Sequence, residues 1–270
     1  MKKSFVISVQ ETRFNAVAFK SNLAMNLRQI SRLGYDGVEL AIRNPEEVEG
    51  EQIIALCREN GLPIVAIGTG QAWGEERLSL TDPRPNIRKK TVNRLKQHIL
   101  FAAPSRAKVI IGLIRGMSRP EVSPDQTREW LLEGIGECAD FAKDFKDVFL
   151  AVELINRYET NLLNTVREGL DFLNLLQREN VGLLVDTFHM NIEEADIQKS
   201  IRSAEAKINH VHFADSNRWA PGWGHLNFKA VMDALYAIDY SGYVSAEIMP
   251  KPTIESCAEE TIQYLNQLGL

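Results

Sequence analysis

The sequence predicts an α/β fold, a closed (β/α)8 TIM barrel forming a single domain over residues 1–270, and three observations predict it. Eight short runs rich in β-forming residues recur along the whole chain, stretches with helical spacing separate them, and the length is that of one large barrel. The runs are apolar on both faces, as strands of a parallel sheet covered by helices must be. An open doubly wound sheet is the runner-up.

In chain order the runs are "FVISV" from Phe5, "GVELAI" from Gly37, "PIVAIG" from Pro63 and "KVIIGLI" from Lys108. They continue with "VFLAVELI" from Val148, "VGLLVD" from Val181, "INHVHFAD" from Ile208 and "YVSAEIM" from Tyr243. Helix start signals fall between them. Thr165 with Glu168 three places later makes a capping box ahead of "GLDFLNLLQREN", and Asn227 caps a helix after the Gly-rich "PGWGH". The segment "RGMSRPEVSPDQ" after the fourth run, with two prolines and a glycine, reads as a long surface loop and part of a substrate lid. No Pro/Ser-rich linker, charge block or low-complexity stretch divides the chain.

Apolar residues make up 44% and charged residues 25%, which supplies a large core and argues against a disordered or fibrous chain. A net charge of −5 and a pI near 5.7 disfavour bulk binding to nucleic acid or anionic lipid. The opening "MKKSFVISVQETRF" is not a secretory signal, because Gln10, Glu11 and Arg13 cut its apolar run, and no later segment spans a membrane. The expected location is cytoplasmic, with Cys57, Cys138 and Cys257 as reduced, buried thiols, since their spacing suits no metal. A homo-oligomer is compatible with the chain.

In a parallel barrel, function sits where the strands stop, at their C-terminal ends. The fifth run carries Glu153, the sixth ends at Asp186, the seventh carries His212 and the eighth carries Glu247. Singly, each has a bland explanation: a solvent-facing or Arg-paired glutamate, an aspartate that starts a turn, a core histidine. Four coordinating side chains at equivalent places on four consecutive strands are better explained together. Buried carboxylates repel one another, and a divalent cation removes the repulsion. Three oxygen donors and one nitrogen donor suit one Mn²⁺, with Mg²⁺ or Co²⁺ as alternatives, zinc tolerated and iron–sulfur chemistry excluded. Two open coordination positions would accept a vicinal keto-alcohol, whose enediolate the ion would stabilise.

With these residues assembled, the chain resembles the xylose-isomerase-like barrel superfamily of sugar isomerases and epimerases, and within it the D-tagatose/D-psicose 3-epimerase group, over essentially its full length. "VELINRYE" is similar to that group's strand-five motif, which implies Glu153 as metal ligand and catalytic base and Glu159 as a substrate contact. "VDTFHMNIEE" implies Asp186 on the metal and His189 against substrate oxygens; "HVHFADSNRW" implies His212 and Arg218; "SAEIMP" implies Glu247, the second catalytic acid/base. The resemblance further implies an isomerase that inverts the carbon beside a ketone, with the two glutamates on opposite faces of the sugar.

Segments outside these motifs, among them "AIGTGQA", "LSLTDP", "VIIGLIRG" and "ADSNRWAPG", resemble epimerases of inositol catabolism that interconvert 5-keto-L-gluconate and D-tagaturonate. Such a keto-uronate carries a carboxylate, and Arg115, after the fourth run, is expected to bind it in bidentate fashion, with Lys251 a weaker competitor. A neutral ketohexose is the alternative substrate, and an aldose–ketose isomerase of the hydroxypyruvate type or a dehydratase the alternative reaction. Five histidines and an acidic chain speak against a nucleic-acid enzyme with several zinc ions, and the two glutamates against a non-catalytic sugar binder. Glu39 and Gln71 sit at early strand ends, where pocket lining and structural hydrogen bonding are both open readings. Trp73, Trp219 and Trp223 are candidates for a sugar-stacking wall, while His225 is left outside the catalytic set. "GTGQAWG" misses the dinucleotide fingerprint, its glycines being Gly68, Gly70 and Gly74.

Overall fold

The structure, a computed structural model, describes residues 1–270. Eight strands, β1 (Lys2–Ser8), β2 (Gly37–Ala41), β3 (Ile64–Gly68), β4 (Lys108–Ile111), β5 (Leu150–Glu153), β6 (Val181–Asp186), β7 (Ile208–Phe213) and β8 (Tyr243–Ala246), follow one another around a closed barrel. Every neighbouring pair is parallel, including β1 with β8. Helices α1 (Leu23–Leu33), α2 (Gly50–Glu59), α3 (Gly70–Glu76), α4 (Pro85–Ala102) and α5 (Pro124–Ala142) surround the first half. The second half carries α6 (Val166–Leu176), α7 (Thr187–Glu193), α8 (Ile197–Ala204), α9 (Phe228–Tyr236) and α10 (Cys257–Gln267). The closed parallel barrel is the expected fold, and the open-sheet alternative is overturned.

Alternation along each strand divides the apolar residues between two compartments. One set, including Phe5, Leu40, Ile67, Val109 and Val211, packs outward against the helices in a continuous core. The other fills the barrel, where Ala66, Ile110, Ala151 and Leu184 form a small separate cluster beneath the site. Truncating a fully buried leucine or isoleucine of this kind to alanine costs about 2–5 kcal/mol. The helices begin where the sequence signals placed them: Thr165 and Glu168 complete the capping box of α6, and Asn227 caps α9. The three cysteines are free and buried. No helix is long and apolar enough to cross a membrane.

Two strand ends differ from the sequence reading. The run "KVIIGLI" does not continue as a strand: β4 stops at Ile111 and the chain turns through a 3-10 segment, Leu113–Arg115. Glycine is required on both sides of that turn. A side chain at Gly112 would overlap the Glu153 carboxylate, and Gly116, at φ +91°, lies against the Ser79 and Thr81 hydroxyls. The eighth strand ends at Ala246, so Glu247 is the first residue beyond it. The loop after Gly116 is fastened to the segment following β5 by Thr160 Oγ1, which donates to Gly116 O at 3.0 Å, and by Asn161, which bonds Ser118 N and O at 2.8 and 3.1 Å. None of the loop's residues lines the central cavity in this structure.

Candidate metal centre and active site

Glu153 closes β5, Asp186 closes β6, His212 lies in β7 and Glu247 follows β8, so the parallel barrel delivers all four to one mouth. One donor atom from each lies within 4.8 Å of the others. His212 Nδ1 is 3.8 Å from Glu153 Oε1, from Asp186 Oδ2 and from Glu247 Oε2. Two of these atoms, Asp186 Oδ2 and His212 Nδ1, are buried without a hydrogen-bond partner. Orphaned acceptors facing one another are costly in a dry interior. Donors about 2.2 Å from a shared ion are at most about 4.4 Å apart, so the 3.8 Å separations around His212 Nδ1 and the donor set fit a single divalent cation.

The electrostatics agree. In the protein alone, burial and the neighbouring Glu247 push Glu153 up to about 8. Burial likewise raises Asp186 to about 6, against the opposing influence of Arg218 and His212. A bound cation reverses that preference and holds both carboxylates ionised. Asp186 also divides its oxygens: Oδ1 accepts from Phe188 N at 2.7 Å and caps α7, leaving Oδ2 for the centre.

A second row of polar groups stands behind these four side chains. Glu39, buried in β2, accepts from His212 Nε2 at 3.1 and 3.2 Å and from His210 Nε2 at 2.7 Å. Burial opposes the charge on Glu39, but the two histidines outweigh it and hold the carboxylate well below its usual range. Because Nε2 of His212 carries its proton toward Glu39, Nδ1 presents a lone pair to the centre. In the protein alone, burial resists charging His212, yet Glu39, Glu247 and Glu153 together raise it to about 10, so a cation at the centre would take the place of the Nδ1 proton while Nε2–H stays on Glu39. Both open readings of Glu39 hold: it lines the cavity wall, and its carboxylate is committed to hydrogen bonds with His210 and His212. Glu39→Gln keeps the volume and removes the charge, and should weaken Mn²⁺ binding about 10–100-fold with the fold intact, as measured by calorimetric titration of the apo-protein.

On the open side, Asn156 Nδ2 donates to His189 Nδ1 at 2.7 Å and to Glu159 Oε1 at 3.1 Å. His189 therefore carries its hydrogen on Nε2, which lies 3.8 Å from Glu153 Oε1. Burial and the nearby Arg218 push His189 well below its ordinary pKa, so it is a neutral donor. Arg218 bridges the two sides, with Nη1 on Glu159 Oε1 at 3.0 Å and Nη2 on Glu247 Oε2 at 2.9 Å. Its guanidinium lies 5.0 Å from the ring of Phe188 and 5.9 Å from that of Phe14. The backbone of Arg218 is left-handed, φ +63°, a conformation costing of order 1 kcal/mol for a non-glycine residue. It is held there by the bond from Arg218 N to Asp215 O at 2.8 Å and from Met249 N to Arg218 O at 2.9 Å.

These groups face a cavity whose opposite wall, from β1–β4, is built largely of small and apolar residues such as Val6, Phe14, Ala41, Gly68 and Gly112. Arg115 is not among the lining residues. It is fully buried, and its guanidinium donates to the carbonyls of Gly112 (3.1 Å), Leu162 (3.1 and 2.8 Å) and Leu163 (3.3 Å). The expectation that Arg115 reads a substrate carboxylate is thus overturned: the 3-10 turn carries it sideways, where it ties two loops together. Lys251, Trp73, Trp219 and Trp223 also lie outside the lining, and the aromatic wall is Phe14. His225 is exposed on Ser216, at 2.9 Å, away from the centre.

The parallel eight-stranded barrel thus carries, at its C-terminal mouth, a convergent acid–histidine cluster able to hold one divalent cation. Comparison with known proteins agrees: residues 27–268 match the Xylose isomerase-like TIM barrel family, and the chain belongs to it. An L-ribulose 3-epimerase of Mesorhizobium japonicum is 29% identical over 263 residues, covering 96% of this chain and 87% of that protein. A 3-dehydro-D-guloside 4-epimerase of Escherichia coli is 30% identical over 249 residues, covering 86% and 89%. A solved L-ribulose 3-epimerase structure superposes with a TM-score of 0.85 at 26% identity, covering 99% of this chain and 94% of that one.

Proposed function

We propose that the chain is a divalent-metal-dependent isomerase that inverts the carbon beside the ketone of a keto-sugar. In this reading Glu153, Asp186, His212 and Glu247 hold the ion, Glu153 and Glu247 are the acid/base pair, and Glu159, His189 and Arg218 bind the substrate. The observation that carries it is the placement of two glutamates at one ion-fitting centre with different companions: Glu153 beside the His189 Nε2–H, Glu247 under the Arg218 guanidinium. A bound ion, for which Mn²⁺ is our choice on the donor set, would polarise the ketone and acidify the neighbouring C–H. One glutamate takes the proton and the other returns one from the opposite face. His189 Nε2–H donates to the substrate oxygen where charge develops, while Arg218 fixes Glu247 and Glu159. The epimerase names of the relatives support this reaction over an aldose–ketose isomerisation.

We extend the proposal to a keto-sugar acid, 5-keto-L-gluconate interconverting with D-tagaturonate. With Arg115 committed elsewhere, support comes from a recess that adjoins the cavity through Phe14 and Gln71 and is lined by Arg13 and Arg77. Both arginines are exposed and have no carboxylate partner, whereas Glu75 beside them is paired with Arg43 at 3.0 Å. A neutral ketose, a ketohexose above all, is the second reading, favoured by the L-ribulose and D-psicose for which relatives are named. Mn²⁺-loaded protein should place deuterium from D₂O on the carbon beside the ketone, with inversion, when followed by NMR on 5-keto-L-gluconate, D-tagaturonate and ketohexoses. Brisk turnover of ketohexoses alone would remove the acid; carbonyl migration without inversion would remove the epimerase. His189→Ala should keep the Mn²⁺ affinity and lower kcat about 10²–10³-fold, read by metal titration and kinetics in parallel.

A further inference from the structure

The wall opposite the acid–histidine cluster offers few polar side chains, and most are committed. Thr69 Oγ1 donates to Ile110 O at 2.6 Å, and the Glu39 carboxylate serves two histidines. Gln71, 3% exposed, differs. Its Nε2 lies 2.8 Å from Ser8 Oγ, and Ser8 Oγ itself donates to Gln10 O at 2.5 Å. The single proton of that hydroxyl is therefore used, so the serine oxygen must accept and the amide must turn its NH₂ toward it. The orientation of Gln71 is fixed by this logic. Its carbonyl, Oε1, is then left buried without a partner, in a residue that lines both the cavity and the adjoining recess.

We infer that Gln71 is a specificity-determining residue: its Oε1 accepts a hydrogen bond from a hydroxyl of the substrate chain beyond the carbon that is inverted. This rests on the keto-sugar reading above and deepens it. An acceptor locked in place recognises only a donor, so the class of ligand is a polyhydroxy ketone with a free hydroxyl at that position. An analogue lacking that hydroxyl leaves Oε1 unpaired in a closed site and is rejected for that reason.

The test uses Mn²⁺-loaded protein with D-tagatose and its 4-, 5- and 6-deoxy analogues as probes, with dissociation constants measured by calorimetry and inversion followed by NMR. Wild type is expected to bind one of the deoxy analogues about 10–100-fold more weakly than D-tagatose. Gln71→Met, close in volume but without an acceptor, should bind D-tagatose and that analogue equally, with the discrimination against the other two unchanged. Gln71→Glu, which keeps an oxygen at the same place, should retain the preference; a merely structural role would not sort the analogues in this way. Identical selectivity in wild type and Gln71→Met, or no selectivity in wild type, overturns the inference. Selective binding by wild type without inversion of any probe, nor of 5-keto-L-gluconate or D-tagaturonate run alongside, sinks the epimerase reading and leaves the role of Gln71 standing.

Discussion

Asp186→Asn is expected to leave the barrel folded and to abolish tight uptake of a divalent ion. The two oxygens of Asp186 have separate duties. Oδ1 caps α7 through Phe188 N, and an asparagine oxygen performs that task equally well. Oδ2 is the buried, partnerless atom aimed at the centre. Replacing it by an NH₂ group turns protons toward a cation and removes one of the charges that balance it. The loss in Mn²⁺ affinity should exceed the 10–100-fold typical of changes one layer further out, such as Glu39→Gln. Calorimetric titration alongside a thermal melt checks it, and an affinity within threefold of wild type would exclude Asp186 from the ligand set. By contrast, Asp186→Ala removes the cap as well and should additionally destabilise the fold by about 1 kcal/mol.

The second large effect concerns the glutamate pair. Glu153→Gln and Glu247→Gln should each slow inversion about 10²–10⁴-fold at saturating Mn²⁺, the range a positioned acid or base contributes. Both residues are also proposed ligands, so metal content must be measured first and the comparison made between fully loaded proteins. The diagnostic lies in the difference between two rates. With one base missing, the survivor can still remove a proton and return it on the same face, so deuterium wash-in should outlast inversion in at least one variant. In the Glu247→Gln variant the amide oxygen remains for Arg218 to hold, which protects the geometry at that side. If wash-in and inversion fall in strict proportion in both variants, the two-base arrangement is wrong and one residue performs both transfers.

The barrel and the cluster at its mouth were legible because both are periodic. Apolar runs marked the strands, and acids or histidines at equivalent strand ends marked the mouth. For Asp186, starting a turn and holding an ion are not alternatives, since Oδ1 caps α7 and Oδ2 is left free for the proposed ion. What escaped were roles set by distance across the barrel. Glu39 meets His210 and His212, 171 and 173 positions along the chain, a separation no local pattern encodes. Asn156 sits inside a recognised motif, yet its role appears only when His189, 33 residues on, is packed beside it. Arg115 failed for a local reason: the apolar run continues past the true strand end at Ile111, so counting placed the guanidinium in the mouth when the turn carries it away.

The asymmetry of the mouth has a consequence for how such a protein can diversify. Every proposed ion ligand comes from the second half of the barrel, β5 to β8, and the first half faces them with Gly68, Gly112, Ala41, Phe14 and Gln71. In this reading the proposed ion donors lie in one half of the chain and the wall that faces them lies in the other. Substitutions along β1 to β4 and the loops above them can reshape which sugar is admitted without disturbing the donors of the centre, Glu39 excepted because it reaches across. A library confined to the first half, with Glu39 and Gly112 held fixed, is the economical way to search this scaffold for new substrates.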